Sequence, residues 1–407
     1  MHHASNTCPH RKVCTGCSLI GLTYEQQLFK KTTALKAVLS PLKGLWPHPH
    51  DEEFPFPLLP IIPSSAPWGY RISTKLVLGE DSFGARKIGL FQKNSKILAD
   101  IPECPVHHPT INKVLRGLFG PTRDDIPAPF YRHDIRSFQP GKLKFIVIRH
   151  DASLSHRSLG LILVHTGVDK KLLRHWAEGM DLSDTALYEA TLSPHDESLV
   201  IPRKMEHLAG QKTMDISLGD QRVSVHPAVF FQANGPMTAT FVNLITQAFK
   251  RQPRRKGRRL LDLYGGFGSY SFSCKHIFDH IWLVEAHPEA IAAALEQQKR
   301  EKEVPITPLA MTVERFFETD IPWETITDCV VNPPRSGLGH EACRALAQKI
   351  KAVENFVYVS CNPETMVADL KILSRYLPLT PVSFQPIDMF PQTEHLECVA
   401  IFRRSPI

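Results

Sequence analysis

The stretch RLLDLYGGFGS, residues 259–269, decides the fold. Leu260, Leu261 and Leu263 form the short apolar run of a strand covered on both faces. Gly265, Gly266 and Gly268 then open a turn in which backbone can approach a ligand closely, and a helix can begin at Ser269. Working outward, HIWLVEA (280–286), DCVVN (328–332) and NFVYVSC (355–361) read as further buried strands. Helical patterns follow in HPEAIAAALEQQKREK (287–302) and NPETMVADLKILSRYL (362–377). Strands alternating with helices predict an α/β, doubly wound, Rossmann-like sheet over residues 231–407.

Upstream the pattern changes. From Tyr70 to about Val229 come short β-like runs, RISTKLVLG, KIGLFQ, LKFIVIRH and LGLILVHT, punctuated by Gly, Asp and Ser. They predict an antiparallel, sheet-rich N-terminal domain over 1–230. Residues 22–40 carry apolar positions at helical spacing and read as an amphipathic helix that can pack on the catalytic domain. The proline-rich stretch Pro41–Pro67 reads as an extended connector.

The 407 residues are 43% apolar and 22% charged, ordinary values for a soluble protein of two domains. The formal charge of +7 leans towards a polyanionic partner. Seven of the ten residues in KRQPRRKGRR (250–259) are basic, read first as a solvated helix end and linker and second as a phosphate-contacting patch. No apolar run approaches the roughly 18 residues of a membrane span, and no secretory leader is visible, so a cytoplasmic protein is expected. Nine cysteines in such a chain argue for ligation or catalysis rather than disulfides.

Ligands of open α/β sheets sit at the carboxyl ends of the strands. Four candidate sites fall there. Asp262–Ser269 is the glycine turn. Glu285 ends the next strand, 20 residues after Gly265, where a carboxylate can accept hydrogen bonds from both hydroxyls of an adenosine ribose. Adenosine binding follows, with a nicotinamide cofactor still open. Asn332-Pro333-Pro334-Arg335 ends a third strand; Arg335 stands where enzymes that methylate exocyclic amines place an aromatic residue, which argues against that chemistry. Val359-Ser360-Cys361-Asn362-Pro363 sets a thiol at a helix start, where a lowered pKa is expected and nucleophiles are found. Cys274, Cys329, Cys343 and Cys398 read as core. The segment Asp388–Glu397 is a polar cluster before a last strand, CVAIFRR.

FFQAN (230–234), LLDLYGGFG, NPPRSGLG, VSCNPETMVADL and DMFPQTEHLE resemble, in this order, the motifs of the RNA uracil-C5 methyltransferase family. The resemblance implies Cys361 as nucleophile and Glu397 as the base that removes the C5 proton. It also implies an S-adenosyl-L-methionine pocket holding Gln232, Tyr264, Glu285 and Asn332, to which Ser269 is added. The family's first motif usually has Cys where Gly265 stands and often Asn where Ser269 stands. Most members carry Asp where Asn332 stands, and the Asn form resembles the branch that modifies 23S rRNA and lacks an N-terminal TRAM domain.

Cys8, Cys14 and Cys17 with the distant Cys104 make four thiols. By spacing alone, structural zinc and a [4Fe–4S] cluster fit equally. The resemblance implies the cluster, typical of the 23S rRNA enzymes and typically absent from the tRNA branch. The expectation is a 23S rRNA uridine-C5 methyltransferase. The rivals are a tRNA uridine-C5 methyltransferase, an inert RNA-binding iron–sulfur protein and a nicotinamide oxidoreductase, the last disfavoured because Asn-Pro-Pro and Ser-Cys-Asn-Pro serve no hydride transfer. The oligomeric state is left open.

Overall fold

The computed structural model describes residues 8–46, 56–120, 126, 128–196, 198–219, 221–251, 256–301 and 305–404. The chain divides into two compact units. One comprises Met1–Leu22 and Ala66–Pro236, the other Thr23–Ser65 and Met237–Ile407. Both units are therefore discontinuous, whereas the sequence alone drew a single boundary after residue 230.

In chain order, helix α1 (Tyr24–Leu39) is followed by strands β1 (Ser73–Glu80), β2 (Arg86–Phe91) and β3 (Leu98–Asp100) and helix α2 (Pro109–Phe119). Then come β4 (Leu143–His150), β5 (Leu159–His165), α3 (Lys170–Glu178), β6 (Thr185–Thr191), β7 (Glu206–Gly210), β8 (Met214–Leu218) and β9 (Gln221–Val225). Helix α4 (Gly235–Lys250) leads to β10 (Arg259–Leu263), α5 (Ser269–Cys274), β11 (His280–Glu285), α6 (Pro288–Arg300) and β12 (Ile306–Ala310). The chain continues through α7 (Val313–Phe316), β13 (Asp328–Val331), α8 (His340–Lys349), β14 (Asn355–Ser360), α9 (Pro363–Leu373), β15 (Leu379–Ile387) and β16 (Glu397–Arg404).

The N-terminal unit is built on a sheet of order β3-β2-β1-β4-β5-β6-β7, beside the separate hairpin β8–β9. Every residue of β4 is buried, because both faces of this central strand carry a core. The expectation of an antiparallel sheet needs one correction. Strand β5 runs parallel to β6, since α3 carries the chain back between them. Its N-cap is Asp169, whose carboxylate accepts from the Lys171 amide.

The C-terminal unit holds a sheet of order β12-β11-β10-β13-β14-β16-β15. Five parallel strands come first, and β16 lies antiparallel between β14 and β15. The order reverses between β10 and β13, so the crevice for a ligand opens where the glycine turn stands. Helix α1 belongs here. Thr23 and Gln26 close a capping box at its start, and Leu35 and Leu39 share one core with Leu261, Leu263 and Val331. Part of the proline-rich connector, of which residues 47–55 lie outside the described residues, runs along β15: Leu59 and Ile62 donate to the carbonyls of Phe384 and Pro386.

In the basic run, Gln252–Arg255 lie outside the described residues. Arg258 is not a phosphate contact. Its guanidinium is 2% exposed and grips Asp328, with Nη2–Oδ1 at 2.6 Å, so it is consumed inside the unit. Among the described residues no helix is long and apolar enough to cross a membrane.

Candidate active site

Strand β10 ends in a turn whose backbone is mostly left-handed. Tyr264 has φ 59°, Gly266 59° and Gly268 88°. A Cβ on Gly266 would meet nothing within 4 Å, which leaves open space over that peptide. A Cβ on Gly265 would lie 2.2 Å from Leu283 Cδ1, so this glycine and that leucine are a matched pair. The family's usual Cys has no room beside Leu283.

Glu285 closes the turn from the neighbouring strand. Its two carboxylate oxygens accept from the amides of Gly266, at 3.1 Å, and His287, at 2.8 Å. Each oxygen keeps a lone pair for a ligand hydroxyl. Beneath the turn Asp262 is fully buried; Ser271 donates to Oδ2 at 2.7 Å and Oδ1 has no partner. Burial pushes this carboxyl up to about 7, with Glu285 adding to the effect.

On β13 the Asn332 amide extends the ladder to the Leu263 carbonyl at 3.2 Å, and its side chain donates to the Tyr270 hydroxyl at 3.3 Å. Tyr270 is fully buried, and burial together with the nearby Asp262 and Glu397 carboxyls holds its hydroxyl protonated. Ser269 is half-buried at the first position of α5. Gln232 falls in the N-terminal unit, half-buried two residues before Asn234.

Cys361 lies half-buried between β14 and α9, and Pro363 starts the helix, as the sequence predicts. Asn362 caps that helix by accepting from the Glu364 amide at 3.3 Å. The Asn-Pro-Pro-Arg loop is tied to the same helix start, because the Arg335 carbonyl accepts from Asn362 Nδ2 at 3.1 Å and Thr365 Oγ1 at 3.2 Å. Asp369, buried on α9, anchors the loop's far end through the amides of Leu338 and Gly339 and the Tyr358 hydroxyl. These bonds bring the Arg335 side chain within hydrogen-bonding reach of the Cys361 thiol.

The expected lowering of the Cys361 pKa is overturned. Burial raises it, the Glu397 carboxyl raises it further, and Arg335 opposes both. Desolvation outweighs the helix start because it disfavours the thiolate directly. Glu397, the first residue of β16, is only 4% exposed; burial pushes it up to about 7 against the pull of Arg335. A cavity of about 320 Å³ opens beside the thiol, lined by Leu35, Arg335, Cys361, Asn362, His395 and Leu396. That volume admits a nucleobase.

Reading the sequence alone missed Arg335 as a neighbour of the thiol, Tyr270 as the buried hydroxyl that accepts from Asn332, and Asp369 as the loop's anchor. Only Arg335 carried a signal, since it follows the Asn-Pro-Pro motif directly.

In the N-terminal unit Cys8, Cys14, Cys17 and Cys104 are all half-buried. Cys17 is pushed up to about 12 by burial and then by Cys104, Cys14 and Cys8, with Arg71 opposing. Burial also raises Cys14, with Cys8 adding to it, and raises Cys104, with Cys14 adding. Cys14 Sγ accepts from the Gly16 amide at 3.4 Å, and Asn112 brackets Cys104 by donating to its carbonyl and accepting from its amide. The thiols thus feel one another, although among the described residues no group of three or more His, Cys, Asp or Glu side chains stands at metal-holding geometry.

Residues 211–405 match the family model described as tRNA (uracil-5-)-methyltransferase. An uncharacterized RNA methyltransferase of Halalkalibacterium halodurans is 28% identical over 399 residues, covering 97% of this chain and 81% of that protein. One of Geobacter sulfurreducens is 25% identical over 411 residues, covering 98% and 77%. Among solved structures, the tRNA (uracil-54, C5)-methyltransferase of Pyrococcus abyssi in complex with S-adenosyl-L-homocysteine superposes with a TM-score of 0.70. It is 22% identical, and the match covers 96% of this chain and 86% of that one. With the glycine turn, the acidic strand end and the Asn-Pro-Pro-Arg loop all in the matched region, the chain is similar to the RNA uracil-C5 methyltransferases, and the comparisons indicate an S-adenosylmethionine-dependent enzyme.

Proposed function

We propose that the protein methylates C5 of a uridine in 23S rRNA through a transient bond between Cys361 and C6 of the base. The observation that carries this reading is the convergence of Cys361, Arg335 and Glu397, one thiol with a guanidinium and a buried carboxyl that both act on it.

The residues of the turn suit the methyl donor. Open space over Gly266, the two-handed acceptor Glu285, Tyr264 in its left-handed conformation, Ser269 and Asn332 would hold its adenosine and methionine parts. Bound there, S-adenosylmethionine supplies an electrophilic methyl group. Uracil C5 is too weak a nucleophile to take that group unaided. The Cys361 thiolate adds to C6, and the electron pair of the C5–C6 double bond moves to C5, where it forms the new bond to the methyl carbon as the methyl–sulfur bond breaks, its electrons stay on sulfur and S-adenosylhomocysteine leaves. Glu397 as carboxylate then takes the C5 hydrogen; the electrons re-form the double bond and expel the thiolate. Arg335 favours the thiolate that burial and Glu397 disfavour. The base must leave its stack to reach a half-buried sulfur, so a flipped or looped-out uridine is the substrate.

Cys8, Cys14, Cys17 and Cys104 would hold a structural [4Fe–4S] cluster rather than zinc. All four thiols are half-buried, and Cys14, Cys17 and Cys104 have their pKa raised by burial and in part by neighbouring thiols; a bound cation relieves that repulsion, and amide donation to sulfur such as Gly16 N–H to Cys14 suits a ligating thiolate. The protein would act in the cytoplasm.

A tRNA uridine is the second reading, favoured by the description of the matching family model. Mass spectrometry of rRNA and tRNA from a strain lacking the protein separates the two. Loss of 5-methyluridine from 23S rRNA alone is expected; loss from tRNA alone overturns the rRNA assignment and leaves the reaction standing.

A further inference from the structure

The segment that ends in Glu397 is held by the buried face of α1, and the reaction as written does not use that face. Tyr24, Gln27 and Lys31 are spaced i, i+3 and i+7 and so lie on one side of the helix. Lys31 is 3% exposed, and its ammonium donates to Asp388 Oδ1 at 2.6 Å and to the Phe390 carbonyl at 3.0 Å. The Tyr24 hydroxyl donates to the other Asp388 oxygen at 3.0 Å. Gln27, 1% exposed, exchanges two bonds with Gln392. Its Nε2 donates to the Gln392 side chain at 2.9 Å, and its Oε1 accepts from the Gln392 amide at 2.8 Å. Gln392 has φ 70°, a conformation that a non-glycine residue keeps only when its surroundings fix it.

The same helix face continues one turn on as Ala34, Leu35 and Val38, which line the cavity beside Cys361. One side of α1 therefore both walls the cavity and grips the residues that lead into Glu397.

We propose that Lys31 and Gln27 are positioning residues for Glu397. Through Asp388 and Gln392 they set where its carboxyl stands relative to the base, so they govern proton removal and not the attack of the thiol. This inference rests on the reaction proposed above. A rigid clamp is needed for this step because a displacement of about 1 Å at a reacting group costs roughly a hundredfold in rate. Cys361 is held by bonds that involve neither Gln27 nor Lys31, because Asn362 and Thr365 beside it both donate to the Arg335 carbonyl.

The test uses the full chain in two variants. Gln27→Met removes the exchange with Gln392 without burying a lone charge. The paired change Lys31→Met with Asp388→Asn removes the ion pair while leaving an acceptor for the Phe390 amide. Each is incubated with S-adenosylmethionine and either unmodified 23S rRNA and tRNA transcripts or the same transcripts made with 5-fluorouridine. The fluorinated base accepts thiol and methyl but has no C5 proton to lose, so it reports the early steps alone. In both variants, affinity for S-adenosylhomocysteine and the rate of fluorinated adduct formation should stay within about threefold of wild type. Turnover on uridine RNA should fall about tenfold to a hundredfold, with a persistent protein–RNA adduct. A fall of adduct formation and turnover by the same factor, or a fall of neither, overturns the positioning role. If the paired variant does not fold, Gln27→Met alone decides. Failure of the wild type to form an adduct with fluorinated RNA overturns the proposed reaction and this inference with it, which keeps the two failures apart.

Discussion

Cys361 and Cys17 are both half-buried thiols whose pKa is raised by burial, yet their neighbours differ. Around Cys361 stand a carboxyl and a guanidinium. Around Cys17 stand three more thiols. A lone thiol between an acid and a cation can bond, transfer and leave again, because its charge is balanced one step at a time. Mutually repelling thiols gain most when a cation takes all their charge together, which is ligation. On the proposed reading, burial alone does not sort cysteine roles; the identity of the neighbouring groups does.

The largest effect that would break this contrast is complete. Cys361→Ala should leave no covalent RNA adduct and no 5-methyluridine, measured by denaturing electrophoresis with labelled RNA and by nucleoside mass spectrometry; a retained adduct would assign the chemistry to another thiol. Substitution among the other four should read differently. Anaerobically purified wild type should be brown with about four iron atoms per chain, and Cys17→Ser should lose colour and iron together. A colourless protein with stoichiometric zinc would instead make the set a zinc site.

Glu397→Gln comes next. Losing a general base costs roughly 10²–10⁴-fold, and here the methylated adduct should build up on the protein because formation is spared. Normal turnover would remove Glu397 from the role of base. The pH profile sharpens the same point. Glu397 is held above its ordinary value, to about 7, so burial favours its protonated form. Stability from that form is fully present below the ordinary carboxyl range and is lost as pH rises through about 7. Base catalysis has the opposite sign, so turnover should climb through about 7. Adduct formation should keep rising beyond it, since the Cys361 thiol is also raised. A profile flat from pH 6 to 9 in single-turnover assays would contradict both assignments.

The smallest effect concerns the glycine turn. Gly265→Ala forces a Cβ against Leu283 and should cost about 1–3 kcal/mol in denaturant unfolding. Adding Leu283→Ala should recover part of it. Full stability in the single variant would show that the turn has slack.

How much of this was legible in the sequence follows from the range over which each signal acts. Strands β10, β11, β13 and β14 and helices α6 and α9 could be read because buried apolar runs and helix starts are local patterns. So was the placing of Glu285, Asn332 and Cys361 at strand ends, which fixes them at one edge of a parallel sheet. The parallel pairing of β5 with β6 was not, because it depends on where α3 returns the chain. Arg258 read as part of a charged run and proved to be a buried partner of Asp328, 70 residues away. The direction of the Cys361 shift was misjudged for the same reason. The helix start lies in the next residues, whereas the burial and the Glu397 carboxyl that outweigh it come from tertiary packing. Lys31, a lysine on an amphipathic helix, gave no sign that its partner would be Asp388, 357 residues on.

The most direct measurement is the mass of the peptide that carries RNA after reaction with 5-fluorouridine RNA and S-adenosylmethionine. Digested with trypsin and nuclease, the adduct should map to the peptide containing Cys361 and should include both the fluorinated nucleotide and one added methyl group. Attachment at any other residue, or a methylated product with no attachment at all, would contradict the account.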